Sequence, residues 1–107
     1  MIGRIQSRSA FVLVRQKGAH VRSGPLSCTV LRDSAAKEPL VGYALGRSFG
    51  SAVKRNRLRR QLRELVKERE GALAPGYYVF GASPKAHGTP FQELGTHLDS
   101  LIAKFPK

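Results

Sequence analysis

The sequence is poor in acidic residues, in cysteine and in long hydrophobic runs, and each shortage excludes a class of protein. Only seven Asp and Glu stand against nineteen Lys and Arg in 107 residues, which gives a formal net charge of +12. Positive charge at this density repels itself unless a polyanion supplies the counter-charge. Nucleic acid is the commonest such partner, and an anionic membrane surface is the second.

Membrane and secreted classes find no support in the sequence. No apolar run is long enough to cross a bilayer. Near the start, Arg4 and Arg8 interrupt the apolar residues, so a secretory signal is not expected. The single cysteine, Cys28, cannot form an internal disulfide, and its alternating segment is typical of a small core side chain. We therefore expect a soluble, cytoplasmic protein without a membrane partner.

The length predicts one domain, and the charge is placed unevenly within it. A chain of 107 residues can bury one modest core but not two, so we expect residues 1–107 to form a single RNA-binding domain. Residues 1–32 carry six basic side chains and no acid, and residues 42–63 carry seven and again no acid. Two basic surfaces are therefore expected.

Hydrophobic periodicity and turn residues predict an α+β fold. The expected elements are a helix over residues 7–17, strands over 25–32 and 40–45, a helix over 52–70, a strand over 77–82 and a final helix after Thr89. A further strand near 19–23 is left open. We expect strands 25–32 and 40–45 to pair as a hairpin, and the helices to cover one face of a small sheet as a two-layer sandwich.

The ends of two helices carry capping signals. Ser51 stands where an N-cap would satisfy the free amides of the central helix. Thr89 is the expected N-cap of the final helix, with Pro90 at its first position and Gln92 completing a capping box. The apolar stripe that should dock the final helix on the sheet consists of Phe91, Leu94, Leu98, Leu101, Ile102 and Phe105.

The central helix combines a narrow apolar stripe with crowded cations. Leu58, Leu62, Leu65 and Val66 form the stripe, and the opposite side carries Arg57, Arg59, Arg60, Arg63 and Lys67. Like charges four residues apart each cost a few tenths of a kcal/mol in an isolated helix. A merely solvated face is the plain alternative, but such faces mix signs, and this one does not before Glu64. The pattern therefore favours a phosphate-bearing partner.

The predominance of arginine points to folded RNA. The planar guanidinium can bridge two phosphate oxygens or stack on a base. Asn56, between two arginines, offers a donor and an acceptor to a base edge or a ribose hydroxyl.

Residues 46–64, which read GRSFGSAVKRNRLRRQLRE, resemble the signature of the bacterial ribonuclease P protein subunit. Its core, Arg-Asn-Arg, stands at Arg55, Asn56 and Arg57. The resemblance extends outward through Phe11 and Gly18 in the first helix and over the last strand and helix, so it covers nearly the whole chain.

The resemblance implies a fold similar to the second domain of ribosomal protein S5, with the order α-β-β-β-α-β-α and a left-handed βαβ crossover through the central helix. It also implies a partnership with the catalytic RNA subunit and with precursor tRNA, whose 5′ leader is removed. By position, the residues that would bind the RNA subunit are Lys54, Arg55, Asn56, Arg57, Arg59, Arg60 and Arg63. The residues that would line a cleft for the single-stranded leader are Phe11, Arg15, Thr29, Tyr43 and Arg47.

Several positions depart from the family pattern. Arg15 and Thr29 stand where aromatic residues are common, and Leu40, Ser48 and Ser83 stand where basic residues are frequent. Leader contact would then depend less on stacking and more on charge. For Phe11 and Tyr43, packing in the core is an equally good interpretation of the sequence, because apolar period and ligand contact look identical.

No catalytic or metal-binding residue is expected in the protein itself. Glu64 and Glu68 share a helix face, but they lie among basic residues that can pair with them, and no third ligand is near in the sequence. The three histidines lack metal-ligand spacing. The resemblance assigns hydrolysis to the RNA subunit and its Mg²⁺ ions.

Three other functions are compatible with parts of the sequence. A ribosomal or ribosome-associated protein would share the charge and size and would bind rRNA, but it would lack the signature. An independent ribonuclease would cleave RNA without any RNA subunit. A DNA-binding helix module would compete for duplex DNA, although nothing here resembles a helix-turn-helix.

The arginine helix gives a first prediction. Replacing Arg57 or Arg60 with Ala should weaken RNA binding and flatten its dependence on salt, because each lost phosphate contact removes counterion release. Titrations of the RNA subunit at several salt concentrations measure both effects. Unchanged binding would remove these residues from the interface.

Overall fold

The computed structural model describes residues 1–106, and all the expected helices and strands are present. The five strands and three helices are β1 (Gly3–Arg4), α1 (Arg8–Lys17), β2 (Ala19–Ser23), β3 (Leu26–Arg32), β4 (Pro39–Tyr43), α2 (Ala52–Glu68), β5 (Gly76–Ala82) and α3 (Phe91–Ala103). Short 3-10 helices cover Arg47–Phe49, Glu70–Ala72 and Pro84–Ala86. The α+β class is confirmed, the strand left open is β2, and β1 was not expected.

The strands form one sheet in the order β1-β4-β5-β3-β2. The predicted hairpin between residues 25–32 and 40–45 is wrong, because β5 lies between β3 and β4. The hairpin forms one strand earlier, where β2 and β3 pair antiparallel around Gly24, whose φ of +57° suits a tight turn. On its other side β3 pairs with β5 along its whole length, from Leu26 to Arg32.

Strands β4 and β5 are parallel neighbours, and α2 makes the connection between them. A parallel pair cannot be joined by a tight turn, so the chain must cross over a face of the sheet, here as a helix. This connection is the βαβ unit that the family resemblance implies. Its left-handed sense stays a prediction.

The main core lies between one face of the sheet and helices α2 and α3. Val41, Tyr78 and Val30 align across the sheet on this face. All four residues of the predicted α2 stripe are buried, as are Leu94, Leu98, Leu101 and Phe105 of the α3 stripe. Ile102 is only partly buried, and Phe91 remains 36% exposed.

Helix α1 packs on the opposite face, so the prediction that all helices cover one face is wrong. Gly42 follows the core residue Val41 in β4 and therefore points away from the core, and a Cβ on Gly42 would lie 2.6 Å from Cζ of Phe11. Val14 of α1 is fully buried outside the main core cluster. Because Gly42 has no side chain on this second face, α1 can approach the sheet closely.

Two helix ends differ from expectation, and one agrees. Ser51 caps α2 as predicted, since its Oγ accepts from the Lys54 amide at 3.3 Å. Pro90, not Thr89, is the N-cap of α3, because the Thr89 hydroxyl donates instead to the Lys85 carbonyl at 3.0 Å. Helix α2 ends at Glu68, two residues before the expected end.

Arg69, just beyond the end of α2, joins that helix to α3. Its Nε donates to Oδ1 of Asp99 at 2.6 Å and its NH1 to the Leu65 carbonyl at 2.9 Å. The guanidinium holds the pKa of Asp99 below its usual range. Gly95 allows this approach, since a Cβ there would lie 3.1 Å from NH2 of Arg69.

No helix among residues 1–106 is long and apolar enough to cross a membrane. The single-domain assignment for residues 1–107 stays a prediction, and Lys107 lies outside the described residues.

Gly18, which follows α1, gives a prediction for stability. A Cβ on Gly18 would lie 2.5 Å from the Val14 carbonyl oxygen and 2.9 Å from that of Val30, and these backbone atoms cannot move without shifting α1 or β3. Gly18→Ala should therefore destabilise the fold by about 1 to 3 kcal/mol, the usual cost of overpacking.

Gly71→Ala is the matched control, because a Cβ at Gly71 meets nothing within 4 Å. Urea unfolding of both variants measures the difference. Equal stability of the two variants would contradict the close contact between α1 and β3.

Candidate nucleic-acid interface

The cations of α2 lie along two edges of the helix and along its crest, by which we mean the solvent-exposed line between those edges. A helix turns about 100° per residue, so residues four apart share a line. Arg55, Arg59 and Arg63 follow one edge. Lys54, Arg57 and Gln61 follow the other edge, and Arg60 lies on the exposed crest. The cations that the sequence assigns to one surface therefore face in different directions.

The edge with Arg59 and Arg63 forms one wall of a cleft of about 360 Å³. We call it the β1–β4 cleft. Elements distant in sequence contribute to it, namely β1, α1, β4 and α2. The lining residues are Ile2, Gly3, Arg4, Ile5, Phe11, Val41, Gly42, Tyr43, Arg59 and Arg63.

Phe11 and Tyr43 both pack within the protein and line this cleft. Phe11 is half-buried with its ring over Gly42. Tyr43 is half-buried and stacks on Phe80, with the ring centroids 6.0 Å apart. The two interpretations of these residues, core packing and an exposed contact surface, are therefore compatible.

The hydroxyl of Tyr43 lies in the field of Arg63. Burial raises the pKa of Tyr43 to about 12, and the positive charge of Arg63 acts in the opposite direction. The hydroxyl is therefore protonated at neutral pH and can donate a hydrogen bond. With Arg59 and Arg4 in the same lining, the cleft combines aromatic surface with cations.

Asn56 orients one of these cations. Its Oδ1 accepts from NH1 of Arg59 at 2.7 Å, which leaves the amide nitrogen of Asn56 as the group free to act on a ligand. Arg55, on the same edge, has a buried Nε without a hydrogen-bond partner among residues 1–106.

Three of the predicted cleft residues lie outside this lining. Thr29 is half-buried, with its hydroxyl 2.9 Å from Nδ1 of His20 and its methyl group beside Gly18. Arg15 is exposed on α1, and Arg47 is exposed in the 3-10 helix after β4. Of the five predicted cleft residues, Phe11 and Tyr43 thus line the β1–β4 cleft, and Arg15, Thr29 and Arg47 do not.

The sequence did not indicate the contribution of β1. Ile2, Arg4 and Ile5 line the cleft because β1 pairs in parallel with β4, where Gly3 is opposite Leu40. A strand of two residues is too short to show period-two alternation. The only available signal was the apolar pair that flanks Gly3 and Arg4.

The described residues do not assemble a metal-binding group. Among residues 1–106, no three His, Cys, Asp or Glu side chains come together as possible ligands. Glu68 lies 3.5 Å from NH1 of Arg69, which agrees with a charge-pairing role. Cys28 is buried, and burial raises the pKa of its thiol, so the reactive thiolate is disfavoured.

Known proteins match the chain over nearly its full length. A family model described as ribonuclease P matches residues 3–106. The ribonuclease P protein component of Symbiobacterium thermophilum is 36% identical over 102 residues, which cover 94% of this chain and 89% of the relative. That of Brucella melitensis biotype 1 is 33% identical over 110 residues, covering 92% and 77%.

Solved structures show the same fold. The ribonuclease P protein of Staphylococcus aureus superimposes with a TM-score of 0.85 at 21% identity, covering 94% of each chain. That of Thermotoga maritima gives a TM-score of 0.85 at 21% identity, covering 97% of this chain and 98% of the other.

Proposed function

The chain belongs to the ribonuclease P protein family, and on this premise we propose how its surfaces share the work of removing 5′ leaders from precursor tRNA. It is the protein component of an endoribonuclease holoenzyme whose other component is an RNA subunit.

We assign the RNA subunit to the exposed crest of α2 and to the edge that carries Lys54 and Arg57. Arg57, Arg60 and Lys54 are exposed there, and Asp and Glu are absent from residues 42–63. Exposed arginines that bind phosphates release the counterions condensed on the RNA, which favours binding. The remaining residues of the signature, Arg55, Asn56, Arg59 and Arg63, lie toward the β1–β4 cleft and can serve both RNAs.

We assign the leader of precursor tRNA to the β1–β4 cleft. The observation that carries this proposal is that two aromatic side chains, Phe11 and Tyr43, line one open cleft together with three arginines, Arg4, Arg59 and Arg63. Stacking of an unpaired base on an aromatic ring contributes about 1 to 3 kcal/mol and tolerates any base. A processing factor with many substrates requires such tolerance. Leader contact by Arg15, Thr29 and Arg47 stays a prediction of the family resemblance.

We propose that the RNA subunit holds the Mg²⁺ ions required for hydrolysis. The protein would increase affinity for the substrate by offering cations and stacking surface. The cytoplasmic location stays a prediction.

Cleavage of a precursor tRNA tests the proposal as a whole. A bacterial ribonuclease P RNA at low magnesium should cut poorly alone and correctly when this protein is added, because the protein supplies counter-charge that magnesium otherwise provides. Gel mapping of the new 5′ end gives the result. Cleavage by the protein without RNA, or no stimulation with it, would contradict the assigned role.

Leader length tests the cleft itself. Arg63→Gln should weaken binding of a precursor with a long leader to the holoenzyme about 3- to 30-fold, the range expected for one charged contact. It should have little effect on a precursor without a leader. The measurement is the dissociation constant of each substrate.

Arg32→Gln is the matched control, because Arg32 is exposed and lies outside the cleft lining. It removes the same charge and should leave the difference between the two substrates unchanged. Equal losses for Arg63→Gln and Arg32→Gln would show a general charge effect and not a contact in the cleft.

A further inference from the structure

A second pocket lies beside the edge of α2 that carries Lys54, Arg57 and Gln61, away from the β1–β4 cleft. It has a volume of about 490 Å³, and it shares no lining residue with the cleft. Lys54, Arg57 and Gln61 of α2 form one side, and residues 86–91, which lead into α3, form the other. Its size lies within the range of about 300 to 1,000 Å³ typical of small-ligand sites.

His87 holds the two sides of this pocket together. Its Nε2 is hydrogen-bonded to the Phe49 carbonyl, and its ring lies 4.3 Å from the Phe49 ring between centroids. A carbonyl oxygen can only accept, so Nε2 carries the proton. The pocket is therefore formed by a defined contact between the loop before α3 and the turn before α2.

Gly50 makes this contact possible. A Cβ at Gly50 would lie 3.0 Å from both Cε1 and Nε2 of His87, and the φ of +154° is a conformation that L side chains rarely adopt. Glycine at this position lets the imidazole approach the backbone. The pocket is thus preorganised in the free protein.

The lining combines cations, an amide and aromatic surface. Lys54 and Arg57 are exposed at the rim, and the amide of Gln61 is half-buried. Phe91 remains 36% exposed, although the α3 pattern predicted that it would dock on the sheet. An exposed ring beside a half-buried amide and two cations matches the parts of a nucleotide, which are a planar base with polar edges and a phosphate.

We propose that this pocket binds one unpaired nucleotide of the RNA subunit. The base stacks on Phe91, Gln61 hydrogen-bonds to the edge of the base, and Lys54 and Arg57 contact the phosphate. The RNA subunit is the source and not the leader, because α2 lies between the pocket and the β1–β4 cleft. This inference rests on the proposed function, since it assumes that the crest of α2 faces the RNA subunit.

Phe91→Ala and Gln61→Ala test the pocket, with Gln92→Ala as the matched control. Gln92 is exposed, neighbours Phe91 and does not line the pocket. Phe91→Ala should weaken binding of the RNA subunit about 5- to 100-fold, the range expected for one lost stacked base. Gln61→Ala should weaken it to a smaller extent, and Gln92→Ala should have no effect.

Two further measurements distinguish the loss of a stacked base from a general effect of charge on RNA binding. Phe91→Ala removes no charge, so the salt dependence of binding should keep its slope while affinity falls. Chemical probing of the RNA subunit should show an unpaired base that the wild-type protein protects and that both pocket variants leave reactive. Circular dichroism and thermal unfolding establish that each variant is folded, and Gln61→Ala serves as the test if Phe91→Ala is not.

The failure of this inference can be distinguished from the failure of the proposed function. If the pocket variants bind the RNA subunit like wild type and protect the same bases, the pocket is not a nucleotide site, whereas restored cleavage would keep the proposed function intact. A loss seen only with leader-bearing precursor tRNA would overturn the assignment to the RNA subunit. If the wild-type protein itself fails to stimulate cleavage, the proposed function fails first.

Discussion

Packing of α2 against the sheet determines the direction of every cation on that helix. Leu58, Leu62, Leu65 and Val66 are all buried, and each such side chain contributes about 1.5 to 3 kcal/mol when removed from water. Repulsion between neighbouring cations costs only a few tenths of a kcal/mol for each pair. The apolar stripe therefore outweighs the charge crowding, and the arginines must lie where the helix places them.

The parallel pair β4 and β5 imposes this position on α2. Because α2 connects the two strands, its first turn starts near the carboxyl end of β4 and its cleft-side edge lies beside Tyr43. Tyr43 also stacks on Phe80 of β5, so the same register that joins the strands places an aromatic ring against the arginine edge. The connection that makes the fold thereby also makes the cleft.

Local pattern was sufficient for the helices and for the core, and insufficient for the sheet. The stripes of α2 and α3 follow from a 3.6-residue period that each helix carries in its own sequence. Strand pairing is decided by distant partners. Nothing within residues 25–32 or 40–45 indicates that β5 lies between them, and nothing within residues 3–4 indicates that they form an edge strand beside β4. The resemblance to the family supplied the crossover, which periodicity could not.

The candidate interface shows the same contrast between features that are local in the sequence and features that depend on distant segments. The arginine-rich helix could be predicted as an exposed cationic surface because its charge pattern is local. Its separation into two edges could not be predicted, since this depends on what packs beside each edge: β1, α1 and β4 on one side, and the loop before α3 on the other. Phe91 is an example of a residue whose burial could not be predicted from the local pattern. Its position in the α3 stripe predicts burial, yet it lies at the helix start, where the loop held by His87 leaves part of the ring exposed.

Under the proposed function, the different surroundings of the two edges of α2 hold two RNA segments at a fixed separation. The β1–β4 cleft and the pocket beside Phe91 have no lining residue in common, so one can be occupied without blocking the other. Both depend on the same buried stripe, and any shift of α2 on the sheet would move both together. Rigid packing of this one helix is therefore the physical basis of the proposed alignment of a substrate strand with the RNA subunit.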